Sequence, residues 1–263
     1  MNHYLAIAGL VVVTIIWGGG FVASDMALES LLPFQIMAIR FFLGTVMMGA
    51  ISIKGLKGIK KQEVKAGALM GCSPLYCLCI TDYRTAVYDT VKNAFLTALN
   101  VVMVPFIAFI ICKKKIGVKG IIGAVMAVVG VGILSLEKNL TLGLGDALTL
   151  ICAVGFAFQI FFTSIYVKKY RATVLNFIQM LTAFVLSVIS MFCFGETQFA
   201  VTTKGWISVL YLGVVSTTLC YLLQTACQKH VMRQRPRLSC RWSLCLEPYF
   251  PSSFCMSRSH FGW

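Results

Sequence analysis

Charge is scarce in this chain. Only 12% of its 263 residues are Asp, Glu, Lys or Arg, against roughly 25% in an ordinary soluble domain, and 59% are hydrophobic. That balance excludes a soluble enzyme or a disordered tail. Acidic side chains number nine and histidines three, and His3, His230 and His260 lie near the ends or in an atypical tail. No Ser/His/Asp set, carboxylate pair or phosphate loop stands out, so no enzyme is expected. Eleven cysteines are scattered, mostly within apolar runs, with no CxxC pair and no His/Cys grouping of metal-ligand spacing. Neither a disulfide framework nor a metal or other cofactor is expected.

Long apolar runs fill the chain instead. A helix of about 20 apolar residues crosses a hydrocarbon core of about 30 Å, and such runs recur. They predict spans at Tyr4 to Val22, Phe34 to Ile53, Asn93 to Cys112, Ile116 to Leu136, Asp146 to Val167, Val174 to Phe194 and Trp206 to Ala226. A third span is expected between Val64 and about Tyr83, but Pro74, Asp82, Arg84 and Asp89 make residues 72–91 poor material for a lipid-facing helix. The first run is too long for a signal-peptide core and no small-x-small site follows it, so it is expected to stay as a helix.

The positive charge is distributed by loop. Twelve Lys and Arg follow the second, fourth and sixth expected helices that exit on one side: Lys54, Lys57, Lys60, Lys61 and Lys65; Lys113, Lys114, Lys115 and Lys119; Lys168, Lys169 and Arg171. The alternate loops hold only Lys138 and Lys204. By the positive-inside rule the rich loops and the N-terminus are cytoplasmic, and the formal +14 reflects topology rather than nucleic-acid binding. The expected partners are the lipid bilayer of the cell membrane and a small-molecule substrate, with a homodimer left open.

The two halves resemble each other. Trp17 to Phe21 matches Ala153 to Phe156, and Arg40 falls opposite Gln179. A repeat of five spans is odd, so the second copy enters with opposite orientation, the inverted-repeat plan common in secondary transporters. Five stretches then resemble the EamA-type transporters of the drug/metabolite transporter superfamily. They are Trp17 to Phe21, Arg40-Phe41, Asn93 to Asn100 with Pro105, Gly143 to Asp146, and Tyr211 to Thr217 continuing through Tyr221 to Thr225. The resemblance implies an all-α polytopic membrane protein of ten helices in two inverted five-helix repeats, about eight of them present here. It also implies movement of small metabolites, amino acids or drugs, often outward. The expected organisation is a first repeat over residues 1–136, a partial second repeat over 145–230 and an Arg-rich tail over 231–263.

Two segments depart from that pattern. Residues 72–91 interrupt the third span, and 232–263 stand where the ninth and tenth should be. The tail holds five of the chain's eight Arg and no Lys. Codons for Ser73 to Val91, read one base later, can spell about LPYIAFALQTIGLQYTTPS, an ordinary apolar span that runs into Lys92-Asn93. Codons from Met232, read one base earlier, can likewise spell a ninth helix. A shifted reading frame is therefore one account of both segments, and a real basic cytoplasmic tail is the other.

Arg40 is the sharpest site signal, about two turns inside its span. Two readings stand side by side: a ligand for an anionic or carboxylate substrate, or a residue that snorkels outward or pairs with Glu29 or Asp25. Asn100, Gln159, Gln179 and Gln224 are intramembrane amides, which either glue helices together or converge on a polar cavity. Trp17 and Tyr221 are read as cavity-lining aromatics, with packing as the alternative; Tyr211 fits an interface anchor. Gly18, Gly19 and Gly20 are expected to admit a neighbouring backbone. No acidic residue sits mid-span outside the two atypical segments, so proton coupling has no evident carrier. The reading is a secondary permease or exporter working by alternating access. Its alternative is a non-transporting membrane partner or assembly protein, or the inactive product of a damaged gene.

Overall fold

The computed structural model describes residues 3–72, 77, 96–113, 121–123, 125–126, 129, 144–199 and 201–233. All regular structure among these residues is helical. Helices suit a membrane because each satisfies its own backbone groups where water cannot. Five are long and apolar enough to cross: Tyr4–Leu28, Pro33–Ile53, Ala147–Lys169, Ala172–Cys193 and Thr203–His230.

In chain order, α1 is His3–Leu28 and α2 is Pro33–Leu56. α3 covers residues 61–72 and α4 is Asn100–Cys112. Next come α5, Leu144–Lys169, and α6, Ala172–Cys193. The last rod joins α7, Thr203–Leu210, through a π-helical stretch Tyr211–Leu219, to α8, Cys220–Arg233.

Five expected spans recur with nearby bounds, the last of them as the rod Thr203–His230. α1 runs six residues past Val22, because Ala23 and Ala27 bury against the core while Asp25 faces outward. The expected Asn93 to Cys112 span is interrupted: a turn at Leu99 tightens the chain, with Leu99 donating to the Leu96 carbonyl before α4 begins. Most of the expected Ile116 to Leu136 span, the second part of the third span and residues 234–263 lie outside the described residues.

Punctuation explains the ends. Pro33 opens α2, where a missing N–H costs nothing, and Gln35 Oε1 accepts the Leu32 N–H at 3.1 Å. α6 stops at Gly195, whose φ of +72° suits glycine, and the Glu196 N–H closes the end on the Met191 carbonyl. Thr202 caps α7 by accepting the Gly205 N–H at 3.1 Å.

Two antiparallel pairings organise the bundle. α2 lies along α6, fixed at one end by Ser52 Oγ donating to the Thr173 carbonyl at 3.0 Å. At the other end Gln35 Nε2 donates to the carbonyls of Glu196 and Gln198, at 2.9 and 2.8 Å. α1 lies along the α7–α8 rod, with Ser30 meeting Thr202 at one end and Gly9 against Cys227 at the other. Between the pairs, Ile36, Met37, Phe41, Met180 and Leu212 form a dry core. A separate cluster of Ile107, Ala157 and Phe161 joins α4 to α5.

Connections on the same side meet. The α1–α2 turn touches the loop after α6, where Glu196 Oε2 accepts the Phe34 N–H at 2.8 Å; this end is called the Ser30 face. The α2–α3 and α5–α6 turns meet at the opposite end, the lysine-rich face, where Arg171 and Glu63 form an ion pair at 3.0 Å.

One packing contact occurs twice. A Cβ on Gly71 would stand 2.6 Å from the Gln179 carbonyl oxygen and 2.8 Å from Thr182 Cβ. A Cβ on Gly213 would stand 3.4 Å from the Arg40 carbonyl oxygen and 3.0 Å from Leu43 Cβ. In each case a glycine on one helix seats on a residue and its i+3 neighbour on the next. Arg40 and Gln179 therefore hold matching positions in this contact.

Candidate functional site

A cavity of about 70 Å³ opens where α1, α2, α5 and the π-helical stretch converge with the start of α4. One water needs roughly 10–15 Å³ on this scale, so the space suits several waters or part of a small solute. Trp17, Phe21, Phe156 and Tyr221 provide aromatic walls, with Gly20 between them. Ser24, Thr97, Asn100 and Ser216 add neutral polar groups, and among the described residues Arg40 is the single charged side chain on the lining.

Local geometry explains how each is held. Tyr211–Leu219 is a π-helix in which the Cys220 N–H reaches back to the Val215 carbonyl. The β-branched and hydroxyl run Val214-Val215-Ser216-Thr217-Thr218 crowds an α-helix and offers competing acceptors and donors, conditions that favour the wider turn. Thr218 Oγ1 donates to the Gly213 carbonyl at 2.8 Å. The Ser216 carbonyl accepts the Trp17 indole N–H at 3.1 Å, and Trp17 meets Tyr221 edge-on at 6.0 Å. Such π-helical turns gather at functional sites because they release backbone groups from the helix ladder.

Arg40 is 4% exposed, and its Nε donates to Thr217 Oγ1. A guanidinium in a span needs such partners, since desolvation is costly. Burial and the Thr217 contact do not fit a side chain that snorkels to the headgroups. Asp25 and Glu29 are both exposed.

Four of the seven expected site residues come together: Trp17, Arg40, Asn100 and Tyr221. Gln159, Gln179 and Gln224 do not join them. They lie at 1%, 0% and 3% exposure on α5, α6 and α8, away from the cavity lining. Helix rotation decides this on α5 and α8, where Phe156 and Tyr221 take the lining positions instead. Gln159 Nε2 reaches Thr163 Oγ1 at 3.2 Å, while both amide atoms of Gln179 are without a hydrogen-bond partner.

The glycines divide similarly. Gly19 faces the Tyr211 hydroxyl and Gly20 the Ser216 hydroxyl, whereas Gly18 has nothing within 4 Å of a built Cβ. Tyr211 is not an interface anchor: it sits about 12 Å into its rod and donates its hydroxyl to the Ile16 carbonyl at 3.3 Å. Ser24, Thr97, Phe156, Ser216 and the Arg40 partner Thr217 were missed from sequence. A cluster of hydroxyls at Ser216 to Thr218 inside an apolar run was the available signal.

Membrane-length helices around a buried, partly polar cavity define a polytopic helical membrane protein. The EamA-like transporter family model matches residues 4–136 and 143–232, and the chain belongs to that family. It is 29% identical over 224 residues to an uncharacterized transporter of Archaeoglobus fulgidus, covering 84% of this chain and 69% of that protein. A solved crystal structure shares the fold with a TM-score of 0.68 at 15% identity, over 87% of this chain and 80% of its own.

Proposed function

We propose that the chain is a secondary permease of the cell membrane that moves a small metabolite or drug by alternating access between two inverted repeats. The carrying observation is the cavity itself. α1 and α2 contribute Trp17, Ser24 and Arg40 from the first half, and α5 with the α7–α8 rod contributes Phe156, Ser216 and Tyr221 from the second. Sites between repeats, near the bilayer midplane, suit a transporter that rocks one half against the other. The repeated glycine contact supports a two-fold relation between the halves. Lysine-rich turns meeting at one end support a cytoplasmic assignment for that face and for the N-terminus.

Reconstituted protein tests this reading. Flux of a panel of labelled small metabolites into or out of sealed liposomes should be saturable for at least one solute and lost in Arg40→Gln, with unchanged insertion. Retained flux in Arg40→Gln would reject the role of Arg40.

A second reading, the inactive product of a damaged gene, draws on one specific observation: the family match ends at residue 232, where the Arg-rich segment starts. Resequencing the encoding DNA separates the two. A confirmed uninterrupted frame through residues 72–91 and 232–263 rejects frame damage; flux only from a frame-repaired chain establishes it.

A further inference from the structure

Five amides have a buried, unpartnered atom among the described residues: Gln159, Asn176, Gln179 and Gln224, which are buried as whole residues, and Gln228, which is half-buried. They sit on α5, α6 and α8, three helices that contact one another around α8. Such a group is several times rarer in a native interior than a satisfied one, and each costs about 1–3 kcal/mol where water is excluded. A concentration of them in one seam points to a space that is hydrated in some other state of the molecule.

Position gives the seam a direction. Asn176 and Gln179 lie about 6 and 10 Å from the α6 start at the lysine-rich face, and Gln159 about 15 Å from the α5 end at the same face. Gln224 and Gln228 lie in the second and third turns of α8, beyond the π-helical stretch and about 14 and 8 Å from its end at that face. The cavity extends from mid-bundle toward the other end: Ser24 is about 6 Å from the α1 end at the Ser30 face, and Arg40 about 10 Å from the α2 start there. Gln179 holds the position matching Arg40 in the shared contact of Gly71 and Gly213.

We propose that Gln159, Asn176, Gln179, Gln224 and Gln228 line the second half of the transport path, closed here and hydrated when the lysine-rich face opens. It would take water and an uncharged hydrogen-bonding portion of the solute, because its lining is made of neutral amides. This rests on the alternating-access reading, but its test does not require a known solute.

Gln179→Cys and Gln224→Cys are made in the full chain and exposed to a charged, membrane-impermeant methanethiosulfonate from either side of sealed proteoliposomes of known orientation. Peptide mass spectrometry reads each position, with buried Cys220 as an internal reference. Ala183→Cys, on α6 but in the dry core, is the negative control, and Ser24→Cys reports the cavity. Gln179→Cys and Gln224→Cys should label at least tenfold faster than Ala183→Cys, and only from the lysine-rich face. Labelling no faster than Ala183→Cys, or labelling from the Ser30 face, overturns the proposal. If either variant fails to fold, Gln159→Cys, at a position only 1% exposed, is read by the same criterion. Labelling as expected with no flux of any solute would leave the path standing and remove the permease reading; flux without labelling would do the reverse.

Discussion

Arg40 and Thr217 form a unit in which the hydroxyl fixes the guanidinium against the cavity. Thr217→Ser keeps the acceptor and should keep flux, whereas the isosteric Thr217→Val removes it. Hydrogen bonds to charged groups contribute about 1.5–3 kcal/mol, so Thr217→Val should cut flux about 10- to 100-fold with unchanged folding. Equal flux in the two variants would show that the bond does not position Arg40. Arg40 was legible because a cation inside an apolar run is conspicuous. Ser24 and Ser216 were not, since a hydroxyl in a helix can satisfy itself on its own backbone and carries no signal of the face it occupies.

Glu63 and Glu196 respond to acid in opposite directions. The Arg171 hydrogen bond, ahead of a burial effect that opposes it, holds Glu63 below its ordinary 4.5. Its stabilisation is therefore present above pH 4.5 and lost as the pH falls through the lowered value. Burial outweighs two backbone N–H bonds to raise Glu196 above 4.5, so its ionisation weakens the fold as the pH rises through that raised value. Thermal unfolding in detergent should show wild type ahead of Arg171→Gln at pH 7, the gap closing below pH 4. Glu196→Gln should lessen the loss of stability between pH 4.5 and neutrality. A gap that is independent of pH would reject the first assignment.

Helix contacts depend on glycines at a few points. Gly71→Ala places a methyl 2.6 Å from a backbone oxygen that has little room to move, and overpacking of this kind costs about 1–3 kcal/mol. Gly18→Ala, with open space around it, should change stability by about 0.5 kcal/mol or less. Unfolding midpoints for the two variants, measured in one detergent, check the contrast; comparable losses would mean that helix flexibility rather than contact is at stake. The bounds of α2, α5 and α6 were readable because Pro33, Lys168, Lys169, Arg171 and Gly195 punctuate them. Rotation was not readable: these helices are apolar almost all round, so periodicity does not say which stripe faces a neighbour. That is why Gln159, Gln179 and Gln224 were grouped with Arg40 although they belong to another seam. The π-helical stretch was likewise hidden, because Tyr211 to Leu219 has the composition of any span.

At the scale of the molecule, the two halves meet through a long dry contact of α2 on α6, flanked by a cavity toward one face and an amide seam toward the other. Closing one side while opening the other needs the flanks to change and the central contact to persist. Phe41→Ala, in the fully buried centre, should destabilise the whole bundle by about 3–5 kcal/mol, whereas Ser24→Ala at the flank should leave unfolding unchanged. An unfolding scan of both reports the difference.

The Arg171–Glu63 pair has a consequence for the medium. It joins the α5–α6 turn to the start of α3 across the lysine-rich face, and Arg171 also reaches the Gly58 carbonyl at 3.3 Å. Arg171 stands 42% exposed, so dissolved ions reach it, and the Debye length shrinks from about 10 Å at 0.1 M to about 3 Å at 1 M salt. The pair thus acts as a clasp between the α5–α6 turn and α3 that ionic strength loosens, so the packing of this end of the bundle depends on the dissolved salt as well as on the chain.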